Sequence, residues 1–404
     1  MRIAIICSSF FPVIDGVTIA VLNRLKQLSI LGHQIIVFCP DYEPIKHIYP
    51  DYEAYTGEML PGVTIVNLAS TKSLALDFER DVTITSYQTV LRELDQFQPE
   101  IIHVDEAERL GICWLKLPGV KYARQHNIPC MAWFHTNYLE YLDDYLALPF
   151  DSNELIKRIL GCIFARIYNA YDYTLVSSST TEQKLAKIGI DNTLCAELLG
   201  YDADLFHKSS DQQWFAEKYK LPFSSIKIKL LFLGRLTPDK GWKFTLSSLA
   251  QLSPQIINQV AIIIAGDGTM KSEIEQSLQK ITTDIYLLGR VPPEDIASLL
   301  VNSDIFVTNS EKETRGLTLI EAAAAGIPAI APRAGGVIDT IQDGKTGLLY
   351  ETQNQTDFTE KLSLLIADAN LRQTMGEAAK TIAQRWTWQK TVNNLLGIWL
   401  NKTA

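Results

Sequence analysis

Short runs of apolar residues alternate with helix-length amphipathic stretches along this chain. The first run, residues 2–7, is continuous, the pattern of a parallel strand covered on both faces, and an amphipathic stretch over 17–31 follows it. Further runs at 34–39, 63–68, 101–104, 129–134 and 173–176 are separated by helical segments such as 83–94 and 155–170. A polar interval from about 207 to 225 breaks the rhythm, which restarts at 227–233 and continues through 260–265, 284–288, 304–308, 328–331 and 347–350. This alternation predicts an α/β protein of two doubly wound, Rossmann-like domains, 1–207 and 208–386, facing across a cleft. Residues 387–404 read as a last amphipathic helix able to pack on either domain. Open parallel sheets bind ligands beyond the carboxyl ends of their strands, so the chemistry is sought there.

Composition narrows the classes. A chain of 404 residues with 47% hydrophobic and 21% charged residues is neither a disordered tail, a collagen nor a coiled coil. Its net charge of −9 argues against a nucleic-acid binder held mainly by phosphate contacts. The apolar run at 3–11 stops at Pro12 with no small-residue cleavage site, so no export signal is read and a cytoplasmic protein is expected. The six cysteines are far apart and mostly among apolar neighbours, which predicts buried, reduced thiols.

The segment 310–328 is the most informative. A strong helix over 317–325 ends at Gly326 and Pro328. On one continuous helix Glu313 and Glu321 would be about 12 Å apart at 1.5 Å rise per residue, so Glu313 is placed in the preceding loop. Folded back, that loop brings both carboxylates to one elongated ligand, while amides near Gly316, Leu317 and Thr318 face its anionic part. Two surface glutamates beside a capped helix explain the spacing equally well. Arg235 and Lys240 leave the first strand of the second domain and suit a diphosphate, as a planar fork and a point charge; a solvated loop pair is the plainer reading. Gly16 follows the first strand, where a missing side chain permits close backbone approach. His135 ends an apolar strand and points toward the proposed cleft, although a lone histidine is more often structural.

Together these features resemble the GT-B glycosyltransferases of family 4, retaining enzymes that use nucleotide sugars, over nearly the whole chain. The resemblance is carried by Glu313 to Glu321, Gly326-Ile-Pro328, Ala334-Gly-Gly336 and Asp343-Gly-Lys-Thr-Gly-Leu-Leu349. Gly234-Arg235-Leu236, Ala265-Gly-Asp-Gly268, Gly289-Arg-Val291 and Gly200-Tyr-Asp-Ala-Asp-Leu-Phe206 support it. It implies that Glu321 binds ribose hydroxyls, Glu313 those of the donor sugar, and backbone at Arg290 and Val291 the base. Arg235 and Lys240 would stabilise the leaving diphosphate, His135 would contact the transferred sugar, and the last helix would cross back onto the first domain. The chain departs from the family at Arg315, where an aromatic is common, and at Leu199, where an asparagine is usual. The stretch Glu-Thr-x-Gly-Leu, with Ala331-Pro-Arg-Ala-Gly-Gly336 after it, looks more like that of the sulfoquinovosyl and related glycosyl-diacylglycerol synthases than that of sucrose or glycogen enzymes.

The implied reaction moves a hexose from a nucleotide sugar, UDP-linked by this resemblance, to an acceptor hydroxyl by front-face displacement, with no metal or other cofactor. A diacylglycerol-type glycolipid acceptor fits two segments rich in apolar residues and cations, 155–166 and 114–122, which can lie on a membrane surface as a peripheral contact. Core-facing helices explain both segments as readily. A soluble or polysaccharide acceptor and a nucleotide-sugar 2-epimerase remain as alternatives. Asp202-Ala-Asp204 resembles the metal-binding motif of another glycosyltransferase fold, but its surroundings match the family 4 pattern. A phosphate loop at Gly344-Lys-Thr346 fails because the required glycine five residues earlier is Asp339.

Overall fold

The structure, a computed structural model, describes residues 1–73, 78–145, 150–208, 212–221 and 227–403. Of the polar interval 207–225, residues 209–211 and 222–225 lie outside the described residues. The chain divides into two compact units, one of residues 1–139, 148–199 and 388–404, the other of 140–147 and 200–387.

The first unit contains β1 (Arg2–Cys7), β2 (Gln34–Pro40), β3 (Gly57–Leu60), β4 (Val63–Leu68), β5 (Ser70–Lys72), β6 (Arg80–Val82), β7 (Ile101–Asp105), β8 (Cys130–Trp133), β9 (Tyr173–Val176) and β10 (Thr193–Cys195). Eight of these form a sheet in the order β10-β9-β8-β7-β1-β2-β4-β3, and β5 pairs separately with β6. Only β3 runs antiparallel within the large sheet. Residues 3–7 of β1 are fully buried, as a strand at the centre of a sheet covered on both faces must be. The register sets Cys7 beside Asp105 and Asp105 beside Trp133, so one row crosses the carboxyl ends of three strands. The last helix, Trp388–Thr403, packs on the helix Gly16–Ile30 and sets its buried Trp399 edge-on to the His103 ring at 5.4 Å.

The second unit contains β11 (Ile228–Leu233), β12 (Val260–Ala265), β13 (Ile285–Gly289), β14 (Ile305–Val307), β15 (Ala329–Pro332) and β16 (Gly347–Tyr350), in the order β13-β12-β11-β14-β15-β16. All five pairings are parallel. Leu230 and Phe232 enter the core on one face, while Leu231 and Phe306 enter the core on the other. Strand order reverses between β1 and β7 in the first sheet and between β11 and β14 in the second, the switch points where such sheets bind ligands.

Two expectations are corrected. Cys7, Cys39 and Cys130 are buried and all six thiols are free, but Cys162 and Cys195 are exposed, one on the outer face of a helix and one ending an edge strand. Segment 114–122 is not one surface helix. Trp114, Val120 and Tyr122 are buried, and the Trp114 indole donates to Thr83 O and Ser86 Oγ at 3.1 and 3.0 Å. No helix among the described residues is long and apolar enough to cross a membrane.

Candidate functional site

In the second unit the chain leaves β11 through Gly234 and Arg235 into a tight helical turn, Pro238–Lys240. Arg235 donates to the buried Asp239 at 3.1 Å, and Lys240 Nζ stands 3.9 Å from the same oxygen. Gly241 has φ +72°, and a Cβ there would meet the Asn309 carbonyl oxygen at 2.1 Å. Only glycine lets the turn after β11 lie against the turn after β14 this closely. That approach brings Lys240 Nζ to 2.6 Å from Glu313 Oε1. Burial opposes both charges, but the partners overcome it: Lys240 is held above its ordinary pKa and Glu313 below its own. Two cations and two carboxylates therefore share the switch point, and one of the three Lys240 donors is engaged by Glu313.

Glu313 lies in the loop before the helix Leu317–Ala325, as the spacing required. The loop is backed by Gly335 and Gly336, whose added Cβ atoms would meet Glu313 O at 2.7 Å and Thr314 O at 1.9 Å, and Gly336 N–H donates to Glu313 O at 2.7 Å. Among the described residues the N–H groups of Gly316, Leu317 and Thr318 have no acceptor, so three oriented donors open the helix. Glu321 sits one turn further along, half-buried and with no hydrogen-bond partner among the described residues, and burial alone lifts its pKa to about 8. It makes no ion pair with Arg235 or Lys240, which Asp239 and Glu313 join into one group.

Arg315, the family departure, is buried with its guanidinium 5.3 Å over the Trp386 ring, so its role is packing within this unit. Arg290 is exposed and Val291 half-buried just past β13. In the first unit Gly16 opens a helix capped by Asp15, whose carboxylate accepts from Val17 N and Thr18 N, and a Cβ at Gly16 would meet nothing within 4 Å. His135 follows β8 with Nε2 2.7 Å from Asp105 Oδ1. Sequence reasoning missed Asp239, Asp105 and Glu106. The i,i+4 spacing of Arg235 and Asp239 was the available signal for the first. The other two lie in an acidic stretch that reads as solvated until the fold buries it.

Two parallel doubly wound sheets, with charged groups at a switch point, define an α/β architecture of the ligand-binding type, and known proteins specify which. Residues 14–195 match Glycosyltransferase Family 4 and residues 215–382 match Glycosyl transferases group 1. The GDP-mannose-dependent alpha-mannosyltransferase of Corynebacterium glutamicum is 31% identical over 402 residues, spanning 98% of this chain and 88% of that one. The alpha-monoglucosyldiacylglycerol synthase of Acholeplasma laidlawii is 26% identical over 88% of this chain and 86% of its own. The crystal structure of Anabaena HepE in complex with UDP and glucose superposes with a TM-score of 0.71 at 17% identity, covering 99% of both chains. The chain belongs to the family 4 glycosyltransferases, has the GT-B fold and is a glycosyltransferase.

Proposed function

We propose that this glycosyltransferase moves a hexose from a nucleoside diphosphate sugar to a hydroxyl of a glycolipid-type acceptor, with retention at the anomeric carbon and with protein cations rather than a metal on the diphosphate. The observation that carries this reading is Lys240 held against Glu313 beside Arg235, next to the donors of Gly316, Leu317 and Thr318. Negative charge grows on the diphosphate as the glycosidic bond breaks, and fixed donors aimed there stabilise the transition state more than the ground state. Glu313, kept ionised by Lys240, accepts from sugar hydroxyls. The departing phosphate takes the acceptor proton on the same face, which gives retention without an enzyme nucleophile. Glu321 accepts from the ribose, backbone at Arg290 and Val291 holds the base, His135 contacts the transferred sugar, and Gly16 permits close backbone approach to substrate. Loss of transfer on adding a chelator to the purified enzyme would overturn the metal-free reading.

Glu321 gives this assignment a pH signature. Its raised pKa, about 8, means that it contributes stability fully present below the ordinary carboxylate pKa and lost as pH rises through 8. The ionised form accepts from both ribose hydroxyls and holds them more strongly than the protonated acid does. Nucleoside diphosphate affinity, measured by calorimetry, is therefore expected to climb by up to about tenfold per pH unit between 6 and 8. Glu321→Gln is expected to remove that slope; an unchanged slope would reject the ribose role.

For the acceptor, the helix Phe150–Tyr168 turns Leu155, Arg158, Ile159, Cys162, Ile163 and Arg166 to the outside at spacings of three and four. Leu155 is 60%, Ile159 53% and Ile163 40% exposed, so this stripe is not core-facing. Apolar side chains beside two arginines suit an anionic lipid surface. The relative from Acholeplasma laidlawii, a diacylglycerol glycoside synthase by name, supports a lipid acceptor, and the Corynebacterium glutamicum protein makes GDP-mannose a donor to test beside UDP-glucose. With either donor, mass spectrometry is expected to show hexose on lipid rather than soluble acceptors. The protein is expected to float with anionic but not neutral vesicles, and Ile159→Glu to weaken that binding at least about tenfold. No association with either vesicle would remove the lipid acceptor, and product formed without any acceptor would point to an epimerase.

A further inference from the structure

Asn309, the second residue past β14, is buried where the turns after β11 and β14 touch. Its backbone carbonyl is the group that lies against Gly241, and its side chain reaches the helix that Gly241 opens, Trp242–Leu249. There Asn309 Nδ2 meets Thr245 Oγ1. On the other side Asn309 Oδ1 lies 2.6 Å from Tyr350 OH, at the end of β16. Thr245 and Tyr350 are each 1% exposed, so bulk water reaches neither.

Hydrogen-bond chemistry gives these groups one direction. The Gly241 carbonyl can only accept, and Thr245 Oγ1 lies 3.1 Å from it, so the Thr245 hydroxyl donates there. The Thr245 oxygen then accepts from Asn309 Nδ2, which turns Oδ1 toward the Tyr350 hydroxyl. The reverse amide orientation would aim Nδ2 at Tyr350 and strand its buried hydroxyl hydrogen, for which there is no other acceptor among the described residues. Burial raises the Tyr350 pKa, so the phenol stays a donor. Its ring is held by stacking on Phe244 at 5.4 Å and by the edge of Phe358 at 5.1 Å.

The ends of this relay lie beside the donor site. Gly241 adjoins Lys240, and Asn309 stands four residues before Glu313, so both partners of the 2.6 Å pair leave the same joint. A buried polar network in which every member is satisfied makes such a joint rigid. The groups that face Glu313 are Lys240 and Asp239 on the turn after β11, Ser310 in its own loop, and Tyr141 of the segment 140–147, which belongs to the same unit.

We propose that Asn309 is a positioning residue for glycosyl transfer: its amide, donating to Thr245 and accepting from Tyr350, locks the turn after β14 to the turn after β11 and so holds Lys240 and Glu313 at the separation the reaction requires. This rests on the assignment of Lys240 and Glu313 to the nucleotide sugar.

The test uses the full chain with 13C-labelled glutamate carboxyls, the Glu313 signal being assigned by its loss in Glu313→Gln and followed through a pH titration. Asn309→Ala is expected to raise its midpoint by at least about one pH unit, because a loosened joint draws Lys240 away. With the donor and acceptor that turn over, the same variant is expected to lower kcat at least about tenfold with donor KM within about threefold, and to move the acid limb of kcat upward in step. Thr245→Val removes the hydroxyl with little change of shape and is expected to act in the same direction. Thr245→Ser restores the hydroxyl and is expected to return the midpoint to the parent value and kcat to within about threefold. A fold that is merely weakened would lose activity without moving the midpoint. An unmoved midpoint or an unchanged kcat in folded Asn309→Ala, or Thr245→Ser behaving as Thr245→Val does, would overturn the proposal. Where Asn309→Ala does not fold, the two Thr245 variants decide. Absence of transfer from every donor would instead sink the functional reading, and the Glu313 titration would still show whether Asn309 sets the pair.

Discussion

Lys240→Ala is expected to lower kcat by about 1000-fold while nucleotide Kd changes only a few-fold, because the ammonium meets charge that develops as the diphosphate leaves. The variant also strands Glu313. At present Lys240 holds Glu313 below its ordinary pKa, which contributes stability above the unfolded carboxylate value and loses it as pH falls through the folded one. Without Lys240, burial, the largest influence, is seconded by the charge of Asp239 and opposed by the Ser310 hydrogen bond, so Glu313 is pushed upward and the contribution reverses. With both side chains about one-fifth exposed, 21% and 22%, the cost at pH 7 is expected to be about 2 kcal/mol, below that of a fully buried pair. Calorimetric melts should therefore differ at pH 7 and draw together only as pH falls below the ordinary carboxylate range, through the lowered pKa of Glu313. Single-turnover rates beside titration calorimetry separate the two effects. An unchanged maximal rate with weakened nucleotide binding would show that Lys240 acts in binding alone.

The second large effect is expected from a residue that touches no substrate. In Gly336→Ala the new methyl would stand 1.9 Å from Thr314 O and 2.3 Å from its carbonyl carbon, atoms of a backbone that cannot swing aside as a side chain can. The loop bearing Glu313 must move by about 1 Å, enough to cost about 100-fold in kcat/KM when a reacting group is displaced. Overpacking should also lower stability by about 1–3 kcal/mol. Gly397→Ala is the control: it lies within the last helix, its methyl meets nothing within 4 Å, and it is expected to leave activity unchanged and Tm level or slightly higher. Activity of Gly336→Ala within threefold of the parent would show that another contact fixes the acidic loop.

The long central strands were legible because a strand buried on both faces must be a continuous apolar run, as β1 and β11 are. β3, β5, β6 and β10 escaped notice. They are three or four residues long, and their pairing is decided by a neighbouring strand rather than by their own composition. The glutamate loop was readable from the rise of a helix and the stop at Gly326 and Pro328. Its meeting with Lys240, 73 residues away, was not, since that depends on Gly241 letting two turns touch. Glu108, buried and bonded to Tyr168, and Arg315, folded over Trp386, likewise carry charges that a linear reading assigns to solvent.

The sequence by itself determined the two α/β units, the family and the segments that bear the chemistry, because periodicity records which face of each element is hidden from water and local spacing records where turns must fall. Only the tertiary structure decided that Asp239 joins Arg235 to Lys240, that Asp105 and Glu106 hold the His135 loop, and that Leu155, Ile159 and Ile163 face outward. Those relations arise from packing between segments distant along the chain, where burial and partner geometry, absent from any local pattern, set the charge state and direction of each side chain.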